Sequence, residues 1–158
     1  MSYSIRTYQS TDREAIKVIT WVGFAGVSLD HALEEKLGGE LAGHDWRWRK
    51  TRHVDDDVAT HAEVIFVAEA EAEGIGYIST ERDREEGKGN ITNLEVAKSA
   101  RGQGIGRELI GHALDYFRRE NLAYAVIETL DSNPIGQTLY PATGFQEIAR
   151  QVHYAQRL

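Results

Sequence analysis

SARGQGIGRELI, residues Ser99 to Ile110, sets three glycines at alternate positions between a strand-like run and a helix-like run. Glycine loses more chain entropy on ordering than any other residue, so three within five positions mean that a bare backbone is needed. A strand, a glycine-rich turn and then a helix is a geometry that binds anions. The first amides of a helix have no internal partner. The macrodipole adds partial positive charge there. Glycines let a phosphate approach the backbone without a Cβ in the way. The expected ligand is therefore a phosphate or pyrophosphate. The bland alternative is a tight connection packed against its own sheet.

The spacing narrows the choice. It is G-x-G-x-G and not the dinucleotide fingerprint G-x-G-x-x-G, because Arg107 stands where the last glycine would be. No Gly-Lys-Ser/Thr follows, which excludes a P-loop.

Upstream, Tyr3 to Tyr8 alternates apolar and polar residues and reads as a strand. Thr11-x-x-Glu14 reads as a capping box opening a helix through Ile16, Ile19 and Phe24. A second helix is expected over Ser28 to Leu37, closed by Gly38-Gly39, and a third over His44 to about His61. Three strands follow at Glu63–Ala70, Gly74–Glu81 and Asn90–Ala97, the first two joined through the acidic turn Glu71 to Gly74. Beyond the glycines, Ile105, Leu109, Ala113, Leu114 and Phe117 recur at helical spacing over Gly104–Glu120. Leu122–Leu130 is a further strand. Asn133-Pro134 opens a short helix as N-cap and first-turn proline. A last strand pair is expected in GFQEIAR and QVHYAQRL, from Gly144 to Leu158. This order predicts one mixed α/β domain over residues 1–158 with much antiparallel sheet, not a repeating βαβ array.

Composition bounds the function. The chain has no cysteine, which removes disulfides, thiolate metal sites and a cysteine nucleophile. No apolar run approaches the roughly 20 residues of a membrane span, and MSYSIRTYQSTDRE lacks a signal-peptide pattern. A soluble, cytoplasmic protein with no membrane partner is expected. A net charge of −7 disfavours nucleic-acid binding. The basic, aromatic run Trp46 to Arg52 reads as a solvated helix face, with Arg52 pairing Asp56 one turn on. The six histidines show no metal-ligand spacing, so no metal is expected. Ser28 and Ser132 have no legible His/Asp arrangement, so a serine hydrolase is not supported.

Arg101-Gly102-Gln103-Gly104-Ile105-Gly106 also matches R/Q-x-x-G-x-G/A, and here the chain resembles the GNAT superfamily of acyl-CoA-dependent N-acyltransferases. Asn93-Leu94-Glu95-Val96 looks like that family's fourth strand, and Gly104–Glu120 like its main helix. Asn133 to Tyr140 with Leu139-Tyr140-Pro141-Ala142-Thr143-Gly144-Phe145 is similar to its N-x6-LYxxxGF signature. The features run in the family's order over residues 60 to 150. The first 60 residues share only a strand-helix-helix layout.

The resemblance implies a mixed, mostly antiparallel central sheet, flanked by helices and splayed between strands four and five. Pantetheine would lie in the gap against the backbone of Leu94, Glu95 and Val96. The pyrophosphate would sit on Arg101, Gly102, Gln103, Gly104, Ile105, Gly106 and Arg107. Asn133 is a structural N-cap, and in the family this position often also touches the cofactor. The implied reaction is acetyl transfer from acetyl-CoA to a primary amine by direct attack. Trp21, Trp46 and Trp48 lie where the family builds its acceptor pocket, with core or helix packing the default for at least two of them. Relatives often dimerise, which leaves a homodimer as an option.

Amide formation from a thioester needs a neutral amine, a held carbonyl and a proton for the thiolate. By resemblance, the Tyr140 hydroxyl points at the sulfur and is the candidate acid. Pro141 biases the residue before it away from helical geometry, so the helix is expected to end at Tyr140. Two carboxylates are candidate bases. Glu128 lies within the apolar strand VIETL, sharing a face with Tyr124, Val126 and Leu130, where desolvation would raise its pKa. Glu95 on the neighbouring strand is the second, and a water chain could replace either. A non-catalytic acyl-CoA sensor and an interaction module on the same fold are the rival readings. A cationic acceptor such as a polyamine, an aminoglycoside or a lysine-containing peptide is compatible with the acidic charge.

Overall fold

A computed structural model describes residues Met1–Leu158. Strand β1 (Ser4–Thr7) leads to helices α1 (Arg13–Gly23), α2 (Leu29–Leu37) and α3 (Trp46–His61). Strands β2 (Ile65–Ala70), β3 (Glu73–Asp83) and β4 (Lys88–Val96) follow, then α4 (Ile105–Arg119), β5 (Tyr124–Ile127) and α5 (Pro134–Ala142). The five strands form one sheet in chain order, antiparallel from β1 to β4. β4 and β5 are parallel, because α4 carries the chain back across the sheet between them. No helix is long and apolar enough to cross a membrane.

The strand alternation sends two sets of side chains to opposite faces. Phe66, Ala68, Ile78 and Ile91 pack under Ile105, Leu109, Ala113 and Phe117 of α4. Ile65, Val67 and Tyr77 point the other way, against Ile16 and Ile19 of α1 and Val54 of α3. The sheet is thus the middle layer of three.

Local signals mostly place the helix ends. Ser28 accepts from the His31 amide, and Asp45 from the Trp48 amide, at 3.1 and 2.9 Å. Gly38 closes α2 in the left-handed region at φ 78°. The start of α1 differs from the expected Thr11/Glu14 box. Asp12 reaches back to the Gln9 amide at 2.7 Å instead, because Arg6 holds the same carboxylate through two bonds of 2.7 and 2.9 Å.

That arrangement makes stability depend on pH. The Arg6 hydrogen bonds hold the Asp12 carboxyl below its ordinary value, against the opposing effect of burial. A depressed folded pKa gives stability that is complete above the unfolded value and is lost as pH falls through the folded one. Asp12→Asn is expected to cost about 2 kcal/mol at pH 7 and to flatten the decline that sets in below the ordinary carboxylate pKa of about 4. Urea unfolding from pH 7 downward checks both.

The C-terminal strands expected from Gly144 to Leu158 do not form. The sheet ends at β5, and Ile148, Val152 and Tyr154 remain 76–93% exposed. An alternating pattern orders a strand only if a sheet edge pairs with it and an apolar face receives its side chains, and neither is supplied. The Arg157 guanidinium, on the Leu37 carbonyl at 2.9 and 3.2 Å, ties this segment to α2.

Candidate functional site

β4 and β5 stay together only from Lys88↔Tyr124 to Ile91↔Ile127. There β5 ends, while β4 runs on to Val96 beside β3. Thr92 is an extra residue in β4, since Thr80 pairs Ile91 and Ser79 pairs Asn93. Ala97 donates to the Ile75 carbonyl at 2.8 Å. By antiparallel alternation, Leu94 and Val96 turn their backbone polar groups away from β3, toward the side that β5 has left. This is the expected splay.

The glycine loop stands at the end of that opening. Gly102 and Gly104 have φ of 78° and 84°, and a Cβ at either would meet nothing within 4 Å. Their backbone conformation, and not crowding within the protein, demands glycine. Gly104 is the N-cap of α4 and brings no capping side chain. The amides of Gly102, Gln103, Gly104, Ile105, Gly106 and Arg107 make no hydrogen bond within the protein. A run of free amides at the start of a 15-residue helix fits a pyrophosphate. Gly106 turns toward Leu139 and Val96, so α5 and the end of β4 meet the loop here.

Glu95 is the carboxylate at the centre. Its side chain is 13% exposed. Burial pushes its pKa up, opposed by the Val96 amide, by Arg101 and by Lys50. Oε1 accepts from the Val96 amide at 3.0 Å and from Arg101 Nη2 at 2.9 Å. A Cβ at Gly23 would run into this carboxylate, so α1 makes room for it only by ending in glycine.

Tyr140 is half-buried on α5, in edge contact with Phe145 at 6.3 Å between ring centres. Its hydroxyl makes no hydrogen bond within the protein and reaches the surface. Burial, then the charge of Glu95, pushes its pKa up to about 12. The helix does not end there but continues to Ala142 with Pro141 inside. In the last turn the missing proline N–H removes one bond only, so the geometry survives. Asn133 caps α5, accepting from the Gly136 amide at 3.4 Å and donating to Thr129 at 3.0 Å.

Glu128 lies elsewhere than expected. β5 stops at Ile127, and Glu128 is exposed just beyond it. The desolvated strand position is absent because β5 has nothing to pair with past Ile91 of β4.

The basic run of α3 also reads differently. Arg52 lies over Trp48 at 4.7 Å in place of the expected pair with Asp56. Arg47 lies over Trp21 at 4.9 Å, and Arg49 bonds Glu34 at 3.2 Å. Lys50 is buried, donating to Asn93 at 2.9 Å and sitting 3.9 Å from the Phe24 ring centre. Asn93 in turn donates to Asp57, which also accepts from Ser79 and Thr92. Sequence reasoning missed this buried network. Its signal was the helical spacing of Trp46, Lys50, Val54 and Asp57, which form the buried stripe of α3. No group of three or more histidines and carboxylates is placed to hold a metal ion.

The Acetyltransferase (GNAT) family model matches residues 27–145. An uncharacterized N-acetyltransferase of Methanocaldococcus jannaschii is 35% identical over 84 residues, 52% of this chain and 53% of that protein. The match thus spans about half the length of that relative. The PaiA N-acetyltransferase of Thermoplasma acidophilum, solved with coenzyme A, superposes with a TM-score of 0.72 at 18% identity, over 92% of this chain and 91% of its own. The ribosomal-protein-S18-alanine N-acetyltransferase of Escherichia coli gives 0.68 at 18% identity, over 94% and 80%. At these identities the two structures establish a shared fold.

Proposed function

We propose that this chain, which belongs to the GNAT family of acetyltransferases, transfers an acetyl group from acetyl-CoA to a primary amine in the opening between β4 and β5. The observation that carries the reading is the run of unpartnered amides from Gly102 to Arg107 at the splayed end of β4. These amides would hold the pyrophosphate. The outward backbone groups of Leu94 would hold the amide-bearing arm, those of Val96 being engaged by Glu95 and Arg101. Acetyl-CoA supplies the acyl group as a thioester.

The chain's own residues would move the protons. Glu95, partly buried near the end of β4, takes the proton from the attacking amine as the C–N bond forms. Burial raises its basicity toward the working range. Tyr140 gives a proton to the sulfur as the C–S bond breaks. A phenol with a pKa of about 12 is fully protonated at neutral pH, as a donor must be. Glu128 is the less favoured base because it stands exposed beyond the end of β5.

Tyr140→Phe removes one oxygen and keeps the ring. It is expected to lower kcat by about 100-fold, the low end of general-acid contributions, since a thiolate leaves adequately without a proton. Acetyl-CoA affinity should stay near wild type. Steady-state turnover beside calorimetric binding checks this, and wild-type turnover would return Tyr140 to a packing role.

The function itself is tested by free-thiol release from acetyl-CoA with a panel of polyamines, aminoglycosides, amino acids and lysine peptides. Release that depends on one amine class supports the reading. Tight CoA binding with no release for any class would favour an acyl-CoA sensor.

A further inference from the structure

We propose that Arg101 is a positioning residue for the Glu95 carboxylate and not a phosphate ligand, its side chain folded back onto β4 while the loop that follows turns its amides outward. The inference rests on the reading of Glu95 as the base. Three bonds carry it. Arg101 Nη2 donates to Glu95 Oε1 at 2.9 Å, and Nε donates to the Val96 carbonyl at 3.1 Å. The Val96 amide donates to the same Glu95 oxygen at 3.0 Å. Arginine, carboxylate and the Val96 backbone thus close a ring at the end of β4.

The ring is one-sided. Every hydrogen bond to Glu95 falls on Oε1, and Oε2 has none within the protein. Oε2 lies over Gly23, where α1 presents only backbone. The arrangement fixes the plane of the carboxylate through one oxygen and leaves the other to take a proton. A guanidinium suits this task because its rigid fork reaches a carboxylate and a carbonyl together, which an ammonium point charge does not. The charged and titratable groups that face Glu95 are Arg101 from the loop, Lys50 from α3, Tyr77 from β3 and Tyr140 from α5. Lys50 is committed to Asn93, so Arg101 is the one cation bonded to Glu95.

The test compares Arg101→Met and Arg101→Lys with the wild type by three measurements. Calorimetry gives CoA affinity, turnover gives kcat against pH, and a 13C titration of the Glu95 side-chain carboxyl gives its protonation directly. For Arg101→Met the expected results are an unchanged Kd for CoA, a kcat lower by roughly 10- to 100-fold from lost orientation, and an acidic limb moved to higher pH. The carboxyl titration should move upward with the limb, because the group loses its bonded cation. Arg101→Lys should recover much of the pH shift and little of the kcat. A Kd weakened tenfold or more with an unmoved Glu95 titration would make Arg101 a phosphate ligand and overturn the proposal. A moved titration with an unmoved kcat and pH profile would uphold the Arg101–Glu95 coupling while overturning Glu95 as the base. Thermal melts of both variants separate these results from loss of fold.

Discussion

Glu95→Gln is expected to lower kcat near pH 7 by about 100- to 10,000-fold, the range of a general base removed from its substrate. Glutamine has the same shape, and its amide oxygen can still accept from Val96 and Arg101, so packing should hold. The pH dependence carries the sign. Burial raises the Glu95 pKa, and the base works only when ionised, so wild-type activity climbs as pH rises through that value. The variant should lack this limb. Its deficit should shrink at high pH, where the acceptor amine is already neutral. Glu128→Gln is the companion measurement and should lose little, since that side chain is exposed beyond β5. The reverse pattern, with Glu128→Gln crippled and Glu95→Gln active, would move the base to the other side of the opening.

Gly104→Val should weaken CoA binding by about 100-fold. The residue has φ 84° and caps α4. A β-branched side chain adopts that conformation only at a cost of order 1–3 kcal/mol, so the loop should rearrange and its amides lose their common direction. Charge-assisted hydrogen bonds contribute about 1.5–3 kcal/mol each, and 1.4 kcal/mol is a factor of ten in affinity. Losing one or two of them gives the stated effect. The loop is exposed and a Cβ at Gly104 would touch nothing, so the core should survive. Calorimetry with CoA on a variant whose melt is cooperative checks this. Wild-type affinity there would remove the loop from the site.

The parts of the fold legible in sequence are those whose signals are local. The 3.6-residue stripe of α4 and the caps at Ser28 and Asn133 fix their elements wherever the chain goes next. The glycine loop was legible for a similar reason, since positive φ is a backbone requirement that sequence records directly. What sequence could not show is where pairing stops. Alternation continues through Glu128 to Leu130, yet β5 ends at Ile127, where its pairing with β4 stops at Ile91, next to the bulge at Thr92. The same blindness affects Gly144 to Leu158, whose alternation is intact but whose partner edge is missing. Lys50 was hidden by its charge. A lysine in a basic run reads as solvated until tertiary structure brings Asn93 and the Phe24 ring to its ammonium group. Arg101 was hidden by its motif, because spacing places a residue in a loop without saying which way its side chain turns.

The central claim is that acyl-CoA binds where β4 parts from β5, on the amides that open α4. Titrating the 15N-labelled chain with CoA and following its amide resonances tests it directly. The account predicts the largest shifts at Gly102 to Arg107, with a second group at Leu94 to Val96 and around Tyr140. Saturable binding with those resonances unmoved, or with the shifts gathered on another face, would contradict it.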